Sequence, residues 1–174
     1  MDQAALLSLP NLLSLSRLLL AGAFVATPNA GARAALVVAA ALTDFFDGWL
    51  ARRRDSATSW GALLDPIADR VFALVALATL LYEGAFTTGQ FFILLARDIA
   101  TAVGFLVARV VPWLRRVPFK ARFPGKVVTV LQFAAVLAAL VAPLFVGPLV
   151  IAVGIAAVWA IADYTLALWH SRER

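Results

Sequence analysis

The chain of 174 residues contains no cysteine and a single histidine, His170. The first absence excludes a disulfide framework, a zinc–thiolate or iron–sulfur centre and a cysteine nucleophile. The second leaves little room for imidazole ligands or histidine acid–base chemistry. Charge is scarce too: Asp, Glu, Lys and Arg make up 14% of the residues against 63% hydrophobic ones, and the mean hydropathy is +0.92. Too few polar groups remain to coat a water-soluble globule of this length. Any catalysis must rest mainly on carboxylates.

What the chain does have is long apolar runs. Those close to the length needed to cross a bilayer predict six helices, at roughly 11–28, 33–53, 60–82, 88–112, 124–143 and 146–169. Turn residues separate them: Pro28-Asn29-Ala30-Gly31, Glu83-Gly84, Pro112, Pro118, Pro124-Gly125, and Pro143 to Pro148. The connections are too short to hold a second domain. The expectation is an all-α membrane protein, one six-span bundle over residues 1–174. The first ten residues are too short to span and lack a basic stretch, so they read as an interfacial segment and not a cleaved signal. Arg52, Arg53, Arg54, Arg115, Arg116, Lys120, Arg122, Arg172 and Arg174 fall on alternate connections and at the end, whereas 28–33, 83–88 and 143–148 hold only Arg33. Because cytoplasmic loops retain Lys and Arg, both termini are expected in the cytoplasm. The net charge of +5 suits a surface against anionic lipid. Dispersed cations without a recognition module argue against nucleic-acid binding.

Against this apolar background the second and third spans carry four carboxylates, Asp44 and Asp47, then Asp65 and Asp69. Spacings of three and four place each pair on one helix face. The second span descends to the cytoplasm and the third rises from it, so the pairs can meet at one depth. Four gathered carboxylates repel unless cations neutralise them, which predicts bound metal. All-oxygen ligation suits Mg²⁺ or Mn²⁺, and four acids can share two ions. Such ions bridge phosphate oxygens, so the pattern points to phosphoryl chemistry on a lipid. Gly48, Ala51 and Gly61 remove bulk where a base or diphosphate approaches the backbone. Ordinary helix packing is their plainer use.

The run Asp44-x2-Asp47-Gly48-x2-Ala51-Arg52-x8-Gly61-x3-Asp65-x3-Asp69 places eight fixed residues in a 26-residue window. It resembles the signature of the CDP-alcohol phosphatidyltransferase family, with every position present. The wider chain is similar to the branch that forms phosphatidylglycerophosphate, through Pro10-Asn11-Leu12-Leu13-Ser14-Leu15-Ser16-Arg17, Asp65-Pro66-Ile67-Ala68-Asp69-Arg70, Ala96-Arg97-Asp98-Ile99 and Gly125-Lys126-Val127-Val128-Thr129-Val130-Leu131-Gln132. The resemblance implies transfer of a phosphatidyl group from CDP-diacylglycerol to a small phosphorylated alcohol, glycerol 3-phosphate, with release of CMP. It further implies metal ligation by Asp44, Asp47, Asp65 and Asp69, with Asp69 also the general base. Gly48, Ala51 and Gly61 would line the CDP-lipid pocket, in a homodimer of a bacterial inner membrane with its site on the cytoplasmic side. That branch commonly has Thr, Lys and Glu where Ser14, Arg70 and Asp98 stand, and the Arg97-Asp98 pair also looks like the cardiolipin-forming relatives. Phosphatidylglycerol is therefore the alternative acceptor.

Other polar residues join these expectations. Arg52 is a candidate for the nucleotide phosphate, or one of a topology cluster. Asn11, Ser14 and Arg17 recur at three-residue spacing and are assigned to the CDP-lipid, the rival being a helix anchor with Arg17 snorkelling to the interface. Arg97 and Lys126 are assigned to the acceptor's phosphate; for Arg97 a structural intramembrane ion pair competes. A reading from a different class, a divalent-cation transporter, needs a polar route onward, yet 35–42 and 71–81 hold no ionisable group.

Overall fold

The computed structural model describes the backbone of residues 9–51, 61–110 and 123–172, and side chains over 16–43, 70–104, 106–107 and 123–166. Six helices stand where the apolar runs predicted them: α1 Leu9–Ala26, α2 Ala30–Ala51, α3 Gly61–Tyr82, α4 Thr88–Val110, α5 Phe123–Val141 and α6 Val146–Arg172. A 3-10 turn, Pro143–Phe145, precedes α6, and no strand occurs among the described residues. The helix ends have local causes. The Asn29 side chain accepts from the Ala32 N–H at 2.9 Å and so caps α2. Gly84, at φ 78°, closes α3 in a left-handed conformation, with Ala85 N–H donating to Leu80 O at 2.9 Å and Gly84 N–H to Leu81 O at 3.0 Å. Thr87 and Gln90 cap the start of α4 reciprocally, each side chain accepting from the other's N–H, at 3.3 and 2.9 Å.

The chain divides into two compact units, Met1–Phe86 with Val136–Pro143, and Thr87–Ala135 with Leu144–Arg174. In the first, α1 packs extensively on α3 and less on α2. Its core holds Phe24 and Phe72, ring centroids 6.0 Å apart in an edge-to-face contact, with Val37, Leu77 and Leu80 also buried.

In the second unit α4 packs on α6. The buried positions of α6, Val146, Val150, Val153, Ala157 and Ala160, alternate in steps of four and three, which keeps one small-residue seam facing inward. The seam is close: a Cβ on Gly154 would lie 3.3 Å from Ile93 Cγ2. Its outer face is no more polar. Ile151, Ile155 and Val158 are about two-thirds exposed, and α4 likewise exposes Ile99, Val103 and Leu106. A helix apolar on both its buried and its exposed face is built for a non-aqueous surround. By length and composition Phe123–Val141 and Pro143–Leu166 qualify as membrane spans, and Ser16–Ala26, Ala30–Thr43 and Arg70–Tyr82 form shorter apolar helices. Hydroxyls fit the same surround by bonding back to their own helix, as Thr79 does to Val75 O and Thr129 to Gly125 O.

Candidate active site

The acidic positions lie at the two helix ends that flank one connection. Asp44 and Asp47 occupy the final turns of α2, with Gly48 and Ala51 closing it, and Asp65 and Asp69 follow Gly61 within the first three turns of α3. The helical spacing therefore holds over both pairs. The side chains of Asp44, Asp47, Asp65 and Asp69, and the surroundings of Gly48, Ala51 and Gly61, lie outside the described residues, as do Arg52 and the basic positions of 53–54 and 111–122. Among the described residues no group of three or more His, Asp or Glu is placed to hold a metal. The donor set at these helix ends is all carboxylate, which matches a hard divalent cation.

Asn11 and Ser14 lie in the first half of α1, their side chains outside the described residues. Arg17 is only 3% exposed.

In the second unit a polar cluster forms around Arg97. Its Nη1 donates to Asp98 Oδ1 at 3.0 Å. Gln132, 3% exposed on α5, donates through Nε2 to Asp98 Oδ2 at 3.0 Å and to Leu94 O at 2.8 Å. Adjacent residues on a helix do not face each other. The Arg97–Asp98 pair therefore needs an anchor from outside α4, and Gln132 is placed to provide it. The guanidinium lies against the first turn of α5, so close to Gly125 that a Cβ there would sit 2.6 Å from Nη2. A charge that falls mid-span in the sequence is thus carried to a helix N-terminus, where a cation gains nothing from the helix dipole and an anion would. Lys126, the next residue, is exposed. The buried Arg97 Nε has no hydrogen-bond partner among the described residues.

Two groups take roles that the sequence did not assign. One, Gln132, ends the family-like stretch of α5, where it had no role of its own. The other is Arg33, which the sequence shows only as a lone loop cation. It is 6% exposed and grips Glu83 with a two-pronged fork, Nη1 to Oε2 at 2.6 Å and Nη2 to Oε1 at 2.8 Å. Its Nε donates to Phe24 O at 3.0 Å, and its guanidinium stands 5.1 Å from the Phe24 ring centroid. The Arg33 hydrogen bond holds the Glu83 carboxyl below the usual carboxylate range, with their charge attraction adding to it against a partial desolvation.

Residues 7–167 match the family described as CDP-alcohol phosphatidyltransferase. The chain belongs to that family. It is 41% identical over 110 residues to the CDP-diacylglycerol–glycerol-3-phosphate 3-phosphatidyltransferase of Aquifex aeolicus (strain VF5), a match covering 59% of this chain and 62% of the relative. To the enzyme of the same name from Escherichia coli (strain K12) it is 34% identical over 140 residues, covering 74% of each chain. The family match takes in both units and all the acidic positions. The membrane-type helices accord with a family of membrane-bound enzymes.

Proposed function

We propose that the protein transfers a phosphatidyl group from CDP-diacylglycerol to glycerol 3-phosphate, forming phosphatidylglycerophosphate and CMP. One observation carries the reading: the four aspartates of the eight-residue signature, with Gly48, Ala51 and Gly61, are borne on the ends of α2 and α3 that flank a single connection, in a chain of this family. The names of the Aquifex and Escherichia relatives support glycerol 3-phosphate as the acceptor.

In this reading Asp44, Asp47, Asp65 and Asp69 hold Mg²⁺ or Mn²⁺, two ions shared among four acids. Such ions, when bound, offset the charge of the nucleotide diphosphate. Asp69 accepts the proton of the acceptor hydroxyl as its oxygen attacks the phosphorus attached to diacylglycerol, and the bond from that phosphorus to CMP breaks. Gly48, Ala51 and Gly61 admit the CDP group, and Arg52 with Asn11, Ser14 and Arg17 bind the CDP-lipid. Arg97 and Lys126 take the acceptor's phosphate. What favours Arg97 is its unspent buried Nε and its position beside the positive end of α5.

All six helices cross the membrane in one bundle, with both termini and the acidic helix ends on the cytoplasmic side of a bacterial inner membrane. The bias of Lys and Arg to alternate connections supports this orientation, the opposite ones holding Arg33 alone. The Arg33–Glu83 contact weighs against a cation path, since it occupies the α2 start and α3 end with a satisfied ion pair. A homodimer belongs to the reading on family resemblance. The test is CMP release by the purified chain with Mg²⁺ and each acceptor in turn. Turnover with glycerol 3-phosphate is expected; turnover with phosphatidylglycerol alone would make it a cardiolipin-forming enzyme, and metal flux in liposomes without CMP release a transporter.

A further inference from the structure

We propose that Gly125 and Gln132 of α5 are positioning residues that aim the Arg97 guanidinium at the acceptor, Gly125 by its missing side chain and Gln132 by anchoring Asp98. The inference rests on the assignment of Arg97 to the acceptor's phosphate. Three observations carry it. A Cβ on Gly125 would lie 2.6 Å from Nη2, 3.4 Å from Cζ and 3.5 Å from Nε of Arg97, so only glycine admits the guanidinium where it stands. Gln132 is buried, and it spends one amide nitrogen on both Leu94 O and Asp98 Oδ2, locking the carboxylate that receives Arg97 Nη1. Arg97 then holds its donors in a place fixed from two sides, with Nε buried and without a hydrogen-bond partner among the described residues.

These restraints act on the far end of a flexible side chain and not on backbone. A methyl group at position 125 would therefore displace the guanidinium while the α4–α5 packing stays in place. Gln132→Met keeps length and apolar contact but removes both donated hydrogen bonds. The effect of either change should fall on acceptor affinity, because Arg97 is the group that moves. Neither residue touches the acceptor or the CDP-lipid in this account.

The experiment is steady-state CMP release by the purified full chain in detergent with Mg²⁺, with glycerol 3-phosphate and CDP-diacylglycerol varied separately. It compares wild type, Gly125→Ala, Gln132→Met, Arg97→Ala and the two double variants with Arg97→Ala. Loss of one well-directed contact to phosphate predicts a rise of about tenfold in KM for glycerol 3-phosphate in Gly125→Ala, and a smaller rise in Gln132→Met. KM for CDP-diacylglycerol should stay unchanged, and both effects should vanish in the Arg97→Ala background. Effects that persist there, or that fall on kcat and both KM values alike, overturn the positioning role and leave the acceptor assignment standing. An unchanged acceptor KM in Arg97→Ala itself overturns that assignment, and the aiming role with it. Should Gly125→Ala fail to fold, Gln132→Met carries the same decision.

Discussion

Arg33 and Arg97 are both arginines set in apolar helices, and the structure treats them differently. Arg33 has every nitrogen engaged: the two Nη atoms on Glu83, Nε on Phe24 O, and the face of its guanidinium against an aromatic ring. Each of its three nitrogens already has a protein partner. Arg97 spends Nη1 on its neighbour Asp98 and keeps a buried Nε in reserve. An arginine with every nitrogen partnered ties its neighbours together, whereas the proposed role of Arg97 at the acceptor's phosphate draws on the donors it has not spent.

That contrast can be broken by substitution. Arg97→Ala should raise KM for glycerol 3-phosphate by about 100-fold, the loss of a charge-assisted contact to phosphate, with little change in thermal midpoint. Arg33→Ala should do the opposite, costing about 2 kcal/mol of stability through lost hydrogen bonds and packing while leaving the ratio of the two substrates' KM values unaltered. The loss is modest because the Glu83 side chain, 41% exposed, stays solvated when its partner is removed. Equal kinetic defects in the two variants would erase the distinction.

A smaller effect sharpens the same point through pH. The Glu83 pKa is lowered in the folded protein by the Arg33 hydrogen bond. The stability this provides is complete above the ordinary carboxylate range and is lost as pH falls through the lowered pKa. The difference in thermal midpoint between wild type and Glu83→Gln should therefore be largest near neutral pH and shrink on acidification. A difference that grows as pH falls would contradict the clasp. Least of all, Arg33→Lys should retain the charge but lose the fork, and so fall between wild type and Arg33→Ala in thermal midpoint.

The helices were legible because apolar run length and turn residues are local properties. Leu9–Ala26 and Val146–Arg172 differ from their expected ranges by only two or three residues. The acidic signature was legible for the same reason, its four aspartates being set by spacing along two successive helices. Pairings between distant helices were not. Arg33 meets Glu83 across 50 residues, and Gln132 meets Asp98 across 34. Such contacts depend on how each helix is rotated and on its register against its neighbour, which spacing within one helix does not encode. Arg97 shows the intermediate case. Its importance could be read from a charge inside a span, but the reason it can lie against α5 is the absence of a side chain at Gly125, visible only once the helices are packed.

The claim beneath all of this is that the aspartates of α2 and α3 bind hard cations and perform the transfer, with Asp69 taking the proton. It is tested most directly by comparing wild type with Asp69→Asn in two readouts on the same preparations, Mn²⁺ binding by electron paramagnetic resonance and single-turnover CMP release with glycerol 3-phosphate. The account predicts that the variant still binds Mn²⁺, through Asp44, Asp47 and Asp65, while CMP release falls by about 10²- to 10⁴-fold, the range of a lost general base. Undiminished CMP release in Asp69→Asn, or a wild-type protein that binds no Mn²⁺ and turns over in a chelator, would contradict it.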